Sequence, residues 1–566
     1  MTTATTITPP RPRGDRVPSV AAWLATFVGL ANVASTLTPT LTFRADLLRD
    51  VEPGGLVPLA HAAALPAGIA LVVLAVQLGR RRRRAWRFTL FLLVALAVLN
   101  LIKGLDAEEA VAGLALAALL VWARDAFYVK GDETGARTAL RRIPVALAAA
   151  YSTALLAVWA GAHWASPSLT WPRALHEAAS SLVLMPGPVA FHGHMHWLSL
   201  GIGMLGIATL LSVAYLVFRP LAAPGEASAG WARELATGLV RSHGDDTLSF
   251  FKLRTDKHYF FSADRRAFAG YRIDGGVLLI SGDPVGPADA LPRLLQELQA
   301  FADLRGLKLS VLGASAGLVE LGERAGLRSF YIGDEAIVNA QSFSLQGRPI
   351  RKVRQSVNRA AKAGFEASLH PLGDLSEPEL RKLELISEAW RDGQPERGFS
   401  MAMDTMRGEH QADALVLVTR DGGGEVRGFL HFVPAFGRPA MSLSFMRREH
   451  DTPNGLTEFM VVRAIELLRE RGIEDVSLNF AAFARLMHSP ECMRDRLLGR
   501  LAGVFNPFFQ IESLFRFNAK FFPRWEPRYL LYEGALGLPR AGLAAMWAEG
   551  QLPRPRISAA PVREAA

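Results

Sequence analysis

Residues 440–479 read AMSLSFMRREHDTPNGLTEFMVVRAIELLRERGIEDVSLN. A strand-like run over 440–446 is followed by a strongly amphipathic helix from Leu456 to Arg471, and a second strand-like run covers Val476–Asn479. Upstream of this strand–helix–strand unit, strands are predicted at 414–419 and 426–433 and a helix near 376–392. Further back the same plan recurs. Strands His258–Ser262, Ala267–Arg272 and Val277–Ser281 lead to a helix at 288–305 and strand Lys308–Leu312, then to a helix near 315–325 and strand Glu335–Val338. Arg528–Glu533 closes the series as a strand. A few antiparallel strands, a helix, a strand and a further helix, run through twice, predict a mixed-sheet acyltransferase fold used in tandem. The repeat is one of element order and not of residue identity.

Everything before this part has a different character. The chain has 566 residues, half of them hydrophobic and 20% charged, with Cys492 as its only cysteine. That composition excludes a disordered, collagen-like or disulfide-stapled protein, and a single thiol excludes multi-cysteine zinc and iron–sulfur sites. The net charge is +10. Residues 1–229 hold 19 Lys+Arg against 12 Asp+Glu, leaving 44 against 41 for the remainder, so the excess of cations lies in the hydrophobic part. Such a distribution suits juxtamembrane anchoring better than a uniformly basic nucleic-acid binder.

Six apolar stretches, near 19–41, 56–78, 86–105, 110–128, 143–164 and 197–218, each approach the ~20 residues that cross a bilayer core as a helix. Their connections alternate in charge. Arg11, Arg13 and Arg16 precede the first, and a mixed loop with Asp46, Asp50 and Glu52 follows it. Next come Arg80 to Arg84 with Arg87, then Asp106, Glu108 and Glu109, then Arg124, Lys130, Arg137, Arg141 and Arg142. The positive-inside rule predicts a head at 1–18 inside the cell, six crossings over 19–220, and all that follows Arg219 in the cytoplasm. No cleavable signal peptide is evident. His192, His194 and His196 alternate near His176 and Glu177 in the predicted outer loop; with no carboxylate at ligand spacing, an interfacial loop is preferred to a metal site. Two soluble subdomains are expected at 230–375 and 376–550, with a flexible tail at 551–566.

Several soluble stretches carry residue types suited to chemistry. Gly347–Gly364, GRPIRKVRQSVNRAAKAG, holds Arg348, Arg351, Lys352, Arg354, Arg359 and Lys362 with no acid, while Ile350, Val353, Val357 and Ala360 recur at helical spacing. A helix docked on one face with unanswered cations on the other suits the phosphates of RNA or of lipid headgroups. In SGDPVG (281–286) Asp283 either projects from a strand end into a site or makes an Asx-turn. ERGFSM (396–401) places Phe399 in a polar loop, as a pocket border or a loop anchor. Glu458 is either a partly desolvated base or a first-turn acid favoured by the helix dipole. Asn479 ends a strand, where α/β folds place site residues. FRFNAKFFPRWEPRY (515–529) interleaves aromatics with cations, as a nucleotide or lipid interface or as a core strand. There is no GK[ST] phosphate loop, no G-x-S-x-G elbow and no HExxH, so an ATP-driven enzyme or a serine hydrolase is not expected.

Taken in order, KHYFFS (257–262), GDPVG (282–286), GRPIRKVRQSVNRAAKAG (347–364), ERGFSM (396–401), SLSFMR (442–447), NGLTEFM (454–460), VSLNF (476–480) and FNAKFFPRWEPRY (517–529) resemble the phosphatidylglycerol lysyltransferase family, the aminoacyl-phosphatidylglycerol synthases of bacterial multiple peptide resistance factors. The resemblance implies two tandem GNAT-like folds on the cytoplasmic end of a helical region in the plasma membrane. It implies transfer of lysine or another amino acid from aminoacyl-tRNA to the glycerol hydroxyl of phosphatidylglycerol, without a cofactor. That reaction lowers membrane negative charge and gives resistance to cationic peptides. Carried over, Arg348, Arg351, Lys352 and Arg354 hold tRNA or headgroup phosphates, and Glu458 is the base or amine contact. Arg447, Lys520 and Arg528 are oxyanion or phosphate contacts, and Asp283, Ser444 and Asn479 complete the substrate contacts. Two positions depart from the family pattern: Ser444 stands where an acid is expected to meet the amino group, and Glu458 where an Asp is expected. Lysine as donor is therefore one option beside alanine and ornithine. Synthesis without a complete flippase and without a fused lysyl-tRNA synthetase domain is expected, with homo-oligomerisation left open. The rival readings are aminoacylation of another lipid or a peptidoglycan precursor, and a non-catalytic membrane sensor with a degenerate transferase domain.

Overall fold

The computed structural model describes residues 17–37, 56–79, 81–104, 107–127, 129, 133–217, 230–394, 396–408, 412–482, 511–534 and 537–552; most of the head, Cys492 and most of the 551–566 tail lie outside them. The chain divides into two compact units, adjoining in sequence at Ala222 and Ala223.

The first unit is helical: α1 (Val17–Leu37), α2 (Leu56–Leu78), α3 (Arg83–Gly104), α4 (Ala107–Trp122), α5 (Glu133–Ala160), α6 (Trp171–Leu182) and α7 (Leu198–Val217), with a short pair β1 (Ala165–Ser166) and β2 (Ala190–Phe191) flanking α6. Helices occupy all six apolar stretches, and α6 is additional. Among the described residues, two segments, Val17–Ala34 and Ile143–Ala160, are long and apolar enough to cross a membrane; Ala67–Leu78 and Leu198–Ala214 are shorter apolar helices. Six crossings therefore go beyond what helix length and composition establish. The side-chain distribution is inverted relative to a water-soluble bundle. Trp23, Phe27, Phe91, Trp122 and Leu156 are more than 70% exposed, whereas Asn32 and Asn100 are buried, with Asn100 Nδ2 donating to Asn32 Oδ1 at 2.9 Å. Polar pairing inside and large apolar groups outside is the arrangement lipid favours. Close crossing of α1 and α2 depends on Gly29, where a Cβ would lie 2.9 Å from the Gly68 carbonyl.

The second unit is built on a sheet of eleven described strands. In chain order come α8 (Gly230–His243), β3 (His258–Phe261), β4 (Phe268–Asp274), β5 (Val277–Ser281), α9 (Leu291–Leu304), β6 (Lys308–Ala314), α10 (Ala316–Arg324) and β7 (Leu327–Asn339). Then follow α11 (Arg351–Lys362), β8 (Glu366–Pro371), α12 (Glu377–Arg391), β9 (Leu415–Arg420), β10 (Val426–Ala435), β11 (Ala440–Arg448), α13 (Leu456–Glu470), β12 (Asp475–Ala482), α14 (Ile511–Ala519), β13 (Arg524–Glu533) and α15 (Leu538–Ala548). The strand order is β3-β4-β5-β6-β13-β7-β12-β11-β10-β9-β8.

The repeated plan is visible in the pairing. Antiparallel β4 and β5 lead through α9 to β6, parallel to β5; antiparallel β10 and β11 lead through α13 to β12, parallel to β11. The closing strands are exchanged. β7, which ends the first series, pairs with β12 of the second, and β13, which ends the second, pairs with β6 of the first. β7 and β13 also pair with each other, so they seam the two halves into one sheet. Strand β8 lies before the boundary expected at 375/376, yet it pairs with β9 in the second half.

Helices cover both faces. Leu294, Leu295 and Leu298 of α9 pack on Leu278, Ile280 and Val311. Leu456, Met460, Ala464, Ile465 and Leu468 put one apolar stripe of α13 inward, most of it against Leu430, Phe432, Val476 and Leu478. Gly455 opens α13 with φ +98°; a Cβ there would meet Ser356 Cβ at 2.8 Å, so glycine permits both the left-handed turn and the approach of α11.

Candidate active site

The second parallel pair opens before its strands end. β11 and β12 are paired only from Ala440↔Asp475 to Ser442↔Ser477, and then they part. Ser444 lies just past that point as the extra residue of a β-bulge, since the β10–β11 register passes from His431↔Phe445 to Phe432↔Leu443. Across the gap, Asn479 adopts φ +77°, a sparsely populated conformation for asparagine. Its Nδ2 donates to the Leu443 carbonyl (3.3 Å) and the Met401 carbonyl (2.8 Å), and its Oδ1 accepts the Phe480 amide. Ser444 Oγ accepts the Met403 amide at 3.0 Å. Ser444 and Asn479 are thus brought together by the 396–408 loop, which lies across the opening.

That loop is tied down along its length. Glu396 accepts from Arg447 at 2.7 Å and lies 3.3 Å from Arg391. The Glu549 carboxylate takes the amides of Phe399 and Ser400, and Arg254 donates to the Ala402 carbonyl. Arg407 is held by Glu377 and Glu384. Phe399 is wholly buried beneath Lys257 and Arg272, 4.6 and 5.0 Å from its ring centre, so it is an anchor. Arg447 lies over the Phe445 ring, and burial lowers its pKa although Glu396 opposes the shift. A desolvated, partnered guanidinium at the mouth of a gap suits a developing oxyanion or a phosphate.

The first parallel pair, β5 and β6, stays bonded through Gly282, and the groups beyond it differ. Asp283 projects from the strand end to accept the Ser315 amide (2.9 Å) and hydroxyl (2.5 Å) where α10 begins, a long-range tie and not an Asx-turn. Burial and the Asp246 charge raise its pKa. Arg528, 2% exposed, donates to Asp246 and Glu335 at 2.5 Å each and to Thr247 at 3.1 Å. Burial works against the charged guanidinium, but the two carboxylates outweigh it and hold its pKa well above the usual arginine value. Arg528 is expected as an oxyanion or phosphate contact; its guanidinium is instead buried and bonded to Asp246, Glu335 and Thr247, which makes it a framework residue. Its carboxylate partners neutralise a charge that could not otherwise be buried. Beside it, burial pushes Lys252 down to about 8 and takes Lys257 well below the usual lysine range.

The other expected residues form separate groups. Glu458, in the first turn of α13, is ion-paired with Lys520 at 2.8 Å, and Lys520 also lies 5.1 Å from the Phe517 ring centre. Arg348 just before α11, and Arg351 and Lys352 in its first turn, are exposed, and no carboxylate partner is found for them among the described residues. Arg354 is partly spent inward, donating to the Leu345 and Gly347 carbonyls. Sequence reasoning missed Glu396, Asp246 and Glu335 as the partners of Arg447 and Arg528, and it missed Lys252. Only KHYFFS, which opens on Lys257, flagged the buried lysines.

A tandem mixed-sheet unit with a strand gap lined by Ser444 and Asn479 and an arginine at its mouth suits a group-transfer enzyme. The model of the family "Phosphatidylglycerol lysyltransferase, C-terminal" matches residues 237–532, more than half of the chain, and the chain belongs to that transferase family. The lysylphosphatidylglycerol biosynthesis bifunctional protein LysX of Mycobacterium sp. (strain KMS) is 32% identical over 589 residues, covering 97% of this chain and 52% of that protein. LysX of Gordonia bronchialis is 32% identical, with 96% and 50% covered, and LysX of Mycobacterium tuberculosis (strain F11) is 32% identical, with 97% and 48% covered. The chain spans about half the length of these curated relatives. Among solved structures, L-PGS from Bacillus licheniformis aligns at 24% identity and TM-score 0.49, covering 56% of this chain and 96% of that one.

Proposed function

We propose that the chain is a membrane-bound aminoacyltransferase that moves an aminoacyl group from aminoacyl-tRNA to the glycerol hydroxyl of phosphatidylglycerol. Family membership over 237–532 carries this reading, and LysX relatives named for lysylphosphatidylglycerol biosynthesis support the acceptor. The exposed apolar girdle of the first unit supports a multi-pass region, and the loop charges support a cytoplasmic second unit of two GNAT-like folds.

The donor ester is already activated, so no nucleotide motif is needed. The lipid oxygen attacks the aminoacyl carbonyl, the bond to the tRNA ribose oxygen breaks, and the proton lost by the lipid hydroxyl ends on that leaving oxygen. Ser444, Asn479 and Arg447 border the gap where this carbonyl would lie, with Arg447 as the oxyanion or phosphate contact. Glu458 serves as base or amine contact once Lys520 turns to a substrate phosphate. The exposed cations Arg348, Arg351 and Lys352, with the remaining donors of Arg354, hold the polyanion. Asp283 acts by holding the start of α10 through Ser315.

Lipid extracts from a host with and without the gene, analysed by mass spectrometry, test the product. Gain of an aminoacylated phosphatidylglycerol, lost when membranes are treated with RNase before donor is added, is the expected outcome. A different aminoacylated lipid, or none from any aminoacyl-tRNA, refutes the acceptor or the activity respectively.

A further inference from the structure

Glu549 caps the C-terminus of α15, where an acid meets the negative end of the helix dipole and is locally disfavoured. Its long-range contacts account for it. The carboxylate accepts two successive amides, Phe399 at 2.8 Å on one oxygen and Ser400 at 3.1 Å on the other, and the first of these lies 150 residues away in the chain. The Glu549 carbonyl takes the Gly398 amide as well, at 3.2 Å.

The hold on Phe399 is completed from the first half of the sheet. Its ring lies beneath Lys257 and Arg272, and its carbonyl accepts from the Ser281 hydroxyl at 3.5 Å. Ser281 in turn accepts from Lys257 Nζ at 2.6 Å, and Lys257 also donates to the Phe251 carbonyl at 2.6 Å. Amide, carbonyl and ring of Phe399 are thus each fixed. Lys257 and Ser281 are buried, whereas Glu549 is half-buried, so Glu549 is the member that can be changed without opening the core.

The contacts that shape the β11–β12 opening extend from this fixed point. Three residues before Phe399, Glu396 accepts from Arg447 at 2.7 Å; just after Ser400, the Met401 carbonyl holds Asn479 and the Met403 amide donates to Ser444. Arg447 has little other support. A second hydrogen bond goes to the carbonyl of its own neighbour Met446 at 3.4 Å, and Nε is buried without a partner among the described residues. The aim of Arg447 therefore depends on Glu396, and the place of Glu396 depends on the turn that Glu549 holds. Arg391, on α12, steadies the Glu396 carboxylate at 3.3 Å, so freeing the loop weakens this arrangement without abolishing it.

We propose that Glu549 is a positioning residue for the transfer step: by fixing the Phe399 and Ser400 amides it sets the 396–408 loop so that Glu396 aims Arg447 into the β11–β12 opening. This rests on the aminoacyl-transfer reading, with Arg447 as the oxyanion contact, and adds the helix that follows β13 to the parts that shape the site. Arg447 acts on charge that develops in the transition state, so misplacing it lowers kcat and leaves substrate binding alone.

The test uses the full chain in phosphatidylglycerol-containing nanodiscs, supplied first with a total aminoacyl-tRNA pool and then with the single donor that wild type uses fastest. Glu549→Ala lowers kcat about tenfold with KM for that aminoacyl-tRNA within about twofold, and Glu549→Gln, which keeps one acceptor oxygen, falls between it and wild type. Added to Arg447→Ala, Glu549→Ala costs less than about twofold more, because both act through one group. Hydrogen exchange quickens at the Phe399 and Ser400 amides of Glu549→Ala and stays unchanged in β11 and β12. Losses that multiply in the double variant, a raised KM with kcat kept, or wild-type kcat once the loop amides are freed overturns the inference. Loop amides as protected as in wild type do the same. Should Glu549→Ala not fold, Glu549→Gln, of the same size, carries the same comparisons. A wild type that transfers from no aminoacyl-tRNA overturns the transfer reading and this inference with it.

Discussion

The two halves of the sheet share one plan and use it differently. Beyond β5 and β6 the space is packed with buried charge: Arg528, Asp246, Glu335, Lys252 and Asp283 answer one another. Behind β11 and β12 it holds a bulged serine, an asparagine with positive φ and a loop, with one half-buried arginine at the mouth. A charge network with every member internally satisfied stabilises and specifies; a gap lined by neutral hydrogen-bonding groups can still accept a ligand. On the proposed reading, the first half is framework and the second half holds the chemistry.

The sharpest way to break that contrast is Arg528→Leu. Removing one partner of a buried ion pair costs about 3–5 kcal/mol, so the second unit should lose its cooperative unfolding transition and its yield. A folded, inactive Arg528→Leu protein would instead move Arg528 into the site. Arg447→Ala should do the opposite: lysyl transfer falls about 100-fold while hydrogen exchange of the sheet is retained. Full activity in that variant would remove the β11–β12 opening as the reaction centre. Next in size, Arg348→Glu with Arg351→Glu and Lys352→Glu should raise KM for aminoacyl-tRNA about tenfold at low salt, with the gap to wild type shrinking as salt rises. A salt-independent change would assign those cations to another role.

The smallest effect concerns Lys252. Its folded pKa, about 8, lies below the ordinary 10.5, so between those values the unfolded chain binds the proton more tightly. Stability from this group is thus lowest below pH 8 and recovers as pH rises toward 10.5. Against Lys252→Met, the wild-type Tm should gain a few degrees between pH 7.5 and 10. A flat difference would mean that Lys252 stays charged in the folded state.

Regular periodicity made most of this legible. The predicted and observed limits of β5, β9 and α13 agree within one residue. β7 was seen only as Glu335–Val338, a fraction of Leu327–Asn339, because Gly333, Asp334 and Glu335 break the pattern of a central strand. Those acids are tolerated through tertiary contacts, above all Glu335 with Arg528, 193 residues away. The pair Arg447–Glu396 was hidden for the same reason, its members lying in stretches singled out separately. His431 was read simply as part of a strand; that its nitrogens lack partners among the described residues is a property of the assembled core.

The exchange of closing strands has a consequence for synthesis. β6 and β7 are not neighbours; β13 lies between them, and its first residue follows the last of β7 by 185 positions. At ~5–20 residues per second, a ribosome needs about 10–40 s to deliver it. Throughout that interval the nascent β6 edge has no mate, so the first half must be sheltered or wait, and neither half is a separable folding module.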